Sequence, residues 1–319
     1  MHLTTPKLFR EILIFLAALF AVSGAIGQEK YPQRPIEFVV PWGPGGGADQ
    51  LARKLGKLLE ADLKTSFPVI NVPGATGNTG MTKLLSGQSD GYSMAILIGD
   101  TAATLVAGGA RWKLADVTPL AIAIRQPSGL FVKADSRFKT WNDVVAEAKA
   151  KPGTLKVAIL GFGSADDITL NFLAGKGIKM IGVPFASPGE RYSSILGGHA
   201  DLLFEQAGDI GSFLNSKQMR PLITFGEERM EEFPDVPSSK EAGLEIYLPQ
   251  FRSLVMKAGT DPARVKLVAD AIARAVKNPE YVAFLKESMA RKDSFLGAAE
   301  AQSFIAGEID TMQKFAPKK

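Results

Sequence analysis

Phe38-Val-Val-Pro-Trp-Gly-Pro-Gly-Gly-Gly-Ala-Asp-Gln-Leu51 predicts a buried strand, a glycine-rich turn and the start of an amphipathic helix. Branched apolar residues favour the strand and two prolines end it, while leucines recur at helical spacing after the glycines. Gly45, Gly46 and Gly47 leave backbone N–H groups uncovered at the N-terminus of that helix, where the helix dipole is positive. The stretch therefore predicts a site for a carboxylate or phosphate group.

Two other interpretations of this turn stay open. The glycines alone are compatible with a tight connection that binds nothing. Gly43, Gly45 and Ala48 also fit the G-x-G-x-x-A pattern of dinucleotide-binding domains. The next predicted strand, 67–72, ends on Asn71 and Val72, whereas an NAD-binding domain needs an acidic residue there to bind the ribose. An NAD-dependent dehydrogenase is therefore a weak alternative.

Composition indicates a globular protein of two domains. The chain has 319 residues, of which 46% are hydrophobic, so each domain can form its own core. The net charge of +4 comes from Lys and Arg spread along the sequence, and this pattern is not typical of nucleic-acid binding. There is no cysteine, so no disulfide stabilises the fold.

The N-terminus has the pattern of a secretory signal peptide. Lys7 and Arg10 precede an apolar run at 12–22, and small residues follow at a suitable distance for cleavage. We expect residues 1–27 to be removed and the mature protein to be exported. An uncleaved membrane anchor is the alternative.

The pattern of strand, glycine-rich turn and helix recurs along the chain. A second glycine-rich turn spans 71–80, and Asp100 and Thr101 follow the strand predicted at 93–98. The pattern restarts at Leu155, with a glycine turn at 161–167, and Gln206 and Asp209 follow a later strand. In an open parallel sheet, ligands bind outside the carboxyl ends of the strands. We therefore expect one binding module in each domain.

The sequence offers little for catalysis. His199 is the one histidine beyond the signal segment, and no nucleophile elbow, Walker motif or cysteine cluster is present. Asp100, Asp166, Asp167 and Asp209 lie near predicted loop ends, where helix capping or solvation explains them as well as acid–base catalysis does. A secreted enzyme acting on a carboxylate remains the alternative from another functional class.

Several motifs occur together in one order along the chain. They are Tyr31-Pro-Gln-Arg-Pro-Ile36, Val39-Val-Pro41, Pro44-Gly-Gly46, Asp49, Ala52-Arg53, Pro73-Gly-Ala-Thr-Gly77, Asp90-Gly-Tyr92, Gly197-Gly-His-Ala-Asp201, Phe233-Pro-Asp-Val-Pro237, Glu241-Ala-Gly243 and Ala258-Gly-Thr260. With these motifs the chain resembles the Bug family of TctC-like periplasmic solute-binding receptors over nearly its whole mature length.

The resemblance implies an α/β, two-lobed periplasmic-binding-protein fold of type II-like topology, with the ligand in the interlobe cleft. We expect 28–125 and 250–319 to form lobe 1, and 126–249 to form lobe 2. The implied function is periplasmic capture of a small organic carboxylate for a tripartite tricarboxylate-type transporter or a sensor kinase. We expect a monomer that is not an enzyme and needs no cofactor, metal or nucleic acid.

The expected ligand-binding residues combine the positions that the resemblance implies with those at the ends of predicted strands. They are Trp42, Pro44, Gly45, Gly46, Gly47, Gly74, Ala75, Thr76, Gly77, Asp100, Thr101, Gly163, Ser164, Asp167, Ala186, Ser187, Gln206 and Asp209. The family commonly has a histidine where Asp167 stands and P-[YF]-K-G where Pro184-Phe-Ala-Ser187 stands. If Asp167 faces the cleft, it disfavours a second ligand carboxylate and favours a monocarboxylate that carries a hydrogen-bond donor.

Overall fold

The computed structural model describes residues 30–185 and 187–316. The predicted signal segment, 1–27, and the predicted site residue Ala186 lie outside the described residues. Over the described ranges, no helix combines the length and the apolar character that a membrane span requires.

Strands and helices are numbered here in chain order. The strands are β1 (Glu37–Val40), β2 (Val69–Asn71), β3 (Ser93–Ile98), β4 (Val117–Gln126), β5 (Ser128–Lys133), β6 (Lys156–Ile159), β7 (Ile181–Pro184), β8 (Leu202–Glu205), β9 (Met219–Phe225), β10 (Gln250–Lys257) and β11 (Leu296–Gly297). The helices are α1 (Gly47–Leu63), α2 (Asn78–Ser86), α3 (Gly99–Ala107), α4 (Trp141–Ala150), α5 (Ala165–Gly175), α6 (Pro188–Leu196), α7 (Gly211–Asn215), α8 (Pro262–Ala275), α9 (Pro279–Glu287) and α10 (Ala298–Phe315).

The strands form two sheets. The first sheet has the order β11-β4-β10-β3-β1-β2, in which β1 pairs parallel with β2 and β3, and β10 pairs antiparallel with β3 and β4. The second sheet has the order β7-β6-β8-β5-β9, in which β6 pairs parallel with β7 and β8. The chain passes from the first sheet to the second between β4 and β5, and returns between β9 and β10.

Both predicted strand–turn–helix modules are confirmed, one on each sheet. In the first module β1 leads through the glycine turn into α1, whose face toward the sheet carries the fully buried Leu51, Leu55 and Leu59. In the second, β6 leads into α5 and then β7. The carboxyl ends of β1 and β6 therefore carry a loop and a helix N-terminus each, as the glycine patterns predict.

Element ends differ from the sequence expectation in two places. The strand predicted to start at Phe67 starts at Val69, because Pro68 has no N–H group to donate to the sheet. The helical pattern after Asp261 is divided into three helices, with Asn278 and Gly297 at the N-caps of α9 and α10.

The last helix, α10, packs against elements attached to both sheets. Phe304 meets Phe251 of β10 edge to face, with ring centroids 5.5 Å apart. Phe315 meets Phe172 of α5 in the same geometry, also at 5.5 Å. Edge-to-face aromatic pairs add to the stability gained from buried area. The helix therefore joins β10 of the first sheet to α5 of the second.

Candidate functional site

A cavity lies where the carboxyl ends of strands from both sheets meet. Its lining consists of Trp42, Gly46, Gly47, Ala48, Ile98, Leu160, Pro188, Arg191, Glu205, Gln206, Asp209, Gln250 and Arg252. Its volume is about 30 Å³, well below the ~150 Å³ of an engineered protein cavity that binds benzene. A ligand of more than a few atoms therefore requires the walls to separate.

The turn before α1 forms one wall, and Asp49 holds its shape. The Asp49 carboxylate accepts hydrogen bonds from the Gly45 N–H at 3.0 Å and from Asn71 Nδ2 at 3.0 Å, and it pairs with Arg53. Burial opposes ionisation of Asp49, but these hydrogen bonds outweigh it and lower its pKa. The turn thus presents Gly46 and Gly47, at the positive end of a 17-residue helix, to the cavity.

A buried ion pair from the second sheet forms the opposite wall. Arg191, in the first turns of α6, pairs with Glu205 at the end of β8, and the two residues are 3% and 2% exposed. Tyr192 Oη donates to Glu205 Oε2 at 2.9 Å, and the Gln206 N–H donates to Oε1 at 3.0 Å. Burial disfavours the charge on Arg191, but attraction to Glu205 outweighs it and raises the Arg191 pKa. The arginine is therefore charged.

Two residues of the lining have buried donor groups without partners among the described residues. Arg191 Nε and Nη1 are buried and make no hydrogen bond with any described residue, although Nη2 binds Glu205. Trp42 is 3% exposed, and its indole Nε1 is also buried without a hydrogen bond to any described residue. Leaving such groups unsatisfied costs about 1–3 kcal/mol each, and more when the group is charged. The cavity is therefore suited to a group with several acceptor oxygens.

A second ion pair crosses between the sheets at the same cavity. Arg252 of β10 binds Asp209, which lies in the 3-10 turn Ala207–Ile210 after β8. A Cβ atom built on Gly47 would overlap both the Arg252 guanidinium and the Asp209 carboxylate. The ion pair therefore lies directly against the N-terminus of α1.

Behind the cavity, two carboxyl groups join the sheets. Asp100 at the start of α3 accepts a hydrogen bond from the Ala165 N–H of α5 at 3.0 Å and another from Gln250. Asp166 accepts the Leu160 N–H at 2.9 Å. Burial raises the pKa of Asp100, and burial together with the charge of Asp100 raises the pKa of Asp166 well above its usual value. The two carboxyl groups therefore favour sharing a proton over ionising together.

The structure brings part of the predicted set to the cavity. Trp42, Gly46, Gly47, Gln206 and Asp209 line it. Pro44 and Gly45 are exposed beside it, and Asp100 lies behind it. The loop Gly74–Gly77 lies next to Thr101, since a Cβ on Gly77 would overlap the Thr101 hydroxyl. These last positions are not among the lining residues.

The predicted residues of the second module that the structure describes lie at helix N-termini. The Asp167 carboxylate accepts the Gly163 N–H at 2.9 Å, and the Ser164 hydroxyl accepts the Asp167 N–H at 3.2 Å. Ser187 is the N-cap residue of α6. The nearby loop tips touch across the sheets, because Thr76 Oγ1 donates to the Phe162 carbonyl at 3.3 Å. The ligand preference that the sequence analysis based on Asp167 stays a prediction.

Sequence reasoning missed the charged and amide residues of the lining, namely Arg191, Glu205, Gln250 and Arg252, together with Ala48, Ile98, Leu160 and Pro188. One signal in the sequence could have indicated two of these residues, namely a charged residue within or at the end of an apolar strand segment. Glu205 ends the apolar segment Leu202-Leu-Phe-Glu205, and Arg252 interrupts the buried segment Gln250–Lys257. Because a buried charge requires a partner, such positions indicate a paired or ligand-binding site.

Comparison with known proteins places this geometry in a family. The model of the tripartite tricarboxylate transporter family receptor matches residues 51–315. The chain belongs to this receptor family. Its members are periplasmic solute-binding proteins. Protein BugT of Bordetella pertussis is 28% identical over 315 residues, which cover 95% of this chain and 94% of BugT.

Solved structures show the fold of this receptor. The periplasmic binding protein BugD superposes with a TM-score of 0.81 at 20% identity, covering 89% of this chain and 97% of BugD. MatC from Rhodopseudomonas palustris, with bound malate, superposes with a TM-score of 0.83 at 22% identity, covering 89% of this chain and 99% of MatC. The receptor therefore has the two-lobed fold of periplasmic binding proteins, as the sequence predicts.

Proposed function

We propose that this chain is an exported solute-binding protein that captures a small organic carboxylate between its lobes for a tripartite tricarboxylate-type transporter. The observation that carries the proposal is the unpartnered edge of Arg191, where Nε and Nη1 are buried in the cavity wall without hydrogen bonds to described residues. A planar guanidinium edge matches the two oxygens of a carboxylate. The Trp42 N–H and the N-terminus of α1 add donors in the same cavity.

The charges around the cavity support binding of a single anionic group at this edge. Glu205 and Asp209 are each paired with an arginine, so neither carboxylate leaves a net negative charge at the Arg191 edge. A ligand carboxylate there satisfies donors that otherwise remain buried and unpaired. MatC, which shares the fold, holds malate, and this agrees with a carboxylate as the ligand class.

The lining also favours binding over catalysis. Among the described residues it contains no serine, threonine, cysteine, histidine or lysine side chain that would act as a nucleophile or a general base. The carboxylates of Glu205 and Asp209 are held in ion pairs. The receptor family consists of solute-binding proteins, and we assign this chain the same non-enzymatic role.

The proposed lobes are 28–125 with 250–319, and 126–249. The cavity between the sheets is too small for an organic acid of several carbons, so the lobes separate to admit the ligand and close on it. We expect small-angle X-ray scattering to show a smaller radius of gyration when the ligand is bound. An identical scattering curve with and without a tightly bound ligand would contradict hinge closure.

The proposal is tested by thermal unfolding in the presence of single organic acids. A carboxylate at 100 times its Kd is expected to stabilise the protein by about 2.7 kcal/mol. Gly46→Val is expected to abolish the shift, because a Cβ on Gly46 would lie 2.7 Å from Pro188 Cγ and force the turn away from α6.

Gly307→Val is the matched control for Gly46→Val. A Cβ on Gly307 meets no atom within 4 Å, and the residue lies on the exposed side of α10. This variant is expected to keep the full ligand-induced shift. A panel of mono-, di- and tricarboxylates that stabilises neither the native protein nor Gly307→Val would refute the proposed function.

A further inference from the structure

Two arginines line the cavity, and they differ in whether their buried donors have partners. Arg191 is paired with Glu205 but keeps two buried donors, Nε and Nη1, without partners among the described residues, whereas Arg252 is paired with Asp209 and has no such unpartnered buried donor. Both arginines are almost fully buried, at 3% and 2% exposure. Since both line the cavity, it has two cationic positions: Arg191, which keeps donors for a ligand, and Arg252, where Asp209 occupies the place of a ligand carboxylate.

The position of Asp209 is that of a bound anion. Its carboxylate lies against Gly47, so that a Cβ there would overlap both oxygens, and it also pairs with Arg252. A guanidinium together with the uncovered first turn of a long helix is a favourable environment for a carboxylate. Asp209 comes from the opposite sheet and reaches across the cleft to this place.

The turn that carries Asp209 is held in place. A Cβ built on Gly208 would overlap the backbone carbonyl of Ser288, which lies just beyond α9. The close approach leaves the 3-10 turn little room to shift toward that backbone. A ligand that displaced Asp209 from Arg252 would separate these two buried charges, and each would then need a new partner, which disfavours the displacement.

Accepting the proposed function, we infer that Asp209 is a specificity-determining residue, which fills the second anion position so that the ligand carries one carboxylate. A second ligand carboxylate would have to enter beside Asp209, where like charges repel in a desolvated site. The receptor therefore selects a monocarboxylate over the dicarboxylate of the same length. The rest of the ligand contacts the apolar part of the lining, Ile98, Leu160 and Pro188.

Calorimetry with matched acids tests this inference. The probes are propionate and malonate, butyrate and succinate, and hexanoate and adipate. For the native protein we expect at least one monocarboxylate to bind at least tenfold more tightly than its dicarboxylate partner. For Asp209→Ala, we expect the Kd of that dicarboxylate to fall at least tenfold, because its second carboxylate now pairs with Arg252.

Two further variants separate this effect from a change in folding. Asp209→Ala/Arg252→Met is expected to lose the gain in dicarboxylate affinity, because no cation remains at the second position. The exposed Asp235→Ala is expected to keep the native ratio of Kd values. Asp209→Asn, which keeps the size of the side chain, is expected to shift the ratio in the same direction as Asp209→Ala, and thermal unfolding reports whether each variant is folded.

The outcomes distinguish the two proposals. If the native protein binds both members of each pair within threefold, Asp209 does not determine specificity, although carboxylate binding stands. A folded Asp209→Ala with no gain for any dicarboxylate would also overturn the inference. If the native protein binds none of the six acids, the proposed function fails for these probes and the inference fails with it.

Discussion

Replacing Arg191 by methionine is expected to lower the free energy of unfolding by about 3–5 kcal/mol at pH 8 and to weaken carboxylate binding at least about tenfold. The variant leaves Glu205, which is 2% exposed, without its cation. It also removes the unpartnered donors to which the proposed ligand binds. Hydrogen bonds between charged groups contribute about 1.5–3 kcal/mol each, so the Kd should rise at least about tenfold. Urea denaturation and calorimetry measure the two effects.

The pH dependence of this variant has a definite sign. Burial already raises the pKa of Glu205 in the folded protein, and Arg191 limits that rise. Without Arg191 the folded pKa rises further. A raised carboxyl pKa contributes stability that is present at low pH and is lost as the pH rises through the folded pKa. The Arg191→Met protein should therefore be less destabilised at pH 5 than at pH 8.

Arg191→Met/Glu205→Gln separates folding from binding. With no buried charge left in the pair, we expect most of the stability to return and its excess dependence on pH to disappear. Carboxylate binding should stay as weak as in Arg191→Met, because the guanidinium is still absent. If instead the folded double variant bound the acid with native affinity, Arg191 would not be the ligand-binding residue.

Replacing Glu308 by glutamine is expected to raise the free energy of unfolding at pH 8 by up to about 3 kcal/mol. Glu308 lies on α10, and its Oε2 is buried without a hydrogen-bond partner among the described residues. Burial raises its pKa from 4.5 to about 7, although the charge of Arg125 acts in the opposite direction. At pH 8 the native protein therefore holds a poorly solvated carboxylate, and glutamine removes that charge.

The raised pKa of Glu308 also predicts how the stability of the native protein changes with pH. The pKa of Glu308 is higher in the folded protein, at about 7, than in the unfolded chain, where it is 4.5. Protonation of Glu308 therefore contributes stability that is fully present below pH 4.5 and is lost as the pH rises toward 7. Glu308→Gln should therefore flatten the decline of stability between these values. Asp310→Asn, an exposed position on the same helix, is the control. Equal slopes for the native protein and Glu308→Gln would contradict the prediction.

Local patterns predict the fold well, because they depend on neighbours in the sequence. The glycines at 45–47 between apolar strand residues and periodic leucines specify the β1–α1 unit, and the structure confirms it. Ser164 and Asp167 are three residues apart at a helix start, and this spacing is typical of capping. The sequence also indicates capping for Asp167, and its hydrogen bonds in the structure agree with that interpretation, while a role in ligand binding stays a prediction.

The cavity depends on residues that are distant in the chain. Gly47, Asp209 and Arg252 lie on three separate segments and meet only when the second sheet faces the first. Periodicity identifies buried apolar positions, but it does not indicate which buried charge pairs with which. Arg191 therefore looks like a surface residue of an amphipathic helix until Glu205 is placed beside it. The position of the ion pairs was not predictable from one sequence.

The contact between the loop tips at Thr76 and Phe162 offers a way to observe the protein in solution. Phe162 is 65% exposed, although its carbonyl is bound by a residue from the other sheet. Since the sequence contains no cysteine, Phe162→Cys would create a single thiol for an environment-sensitive dye. In the proposed opening of the lobes the two loops separate beside the dye, which lies outside the cavity lining, so its emission would report that opening while the binding residues stay unchanged. The receptor is thus suited to conversion into a fluorescent sensor for the proposed carboxylate ligand.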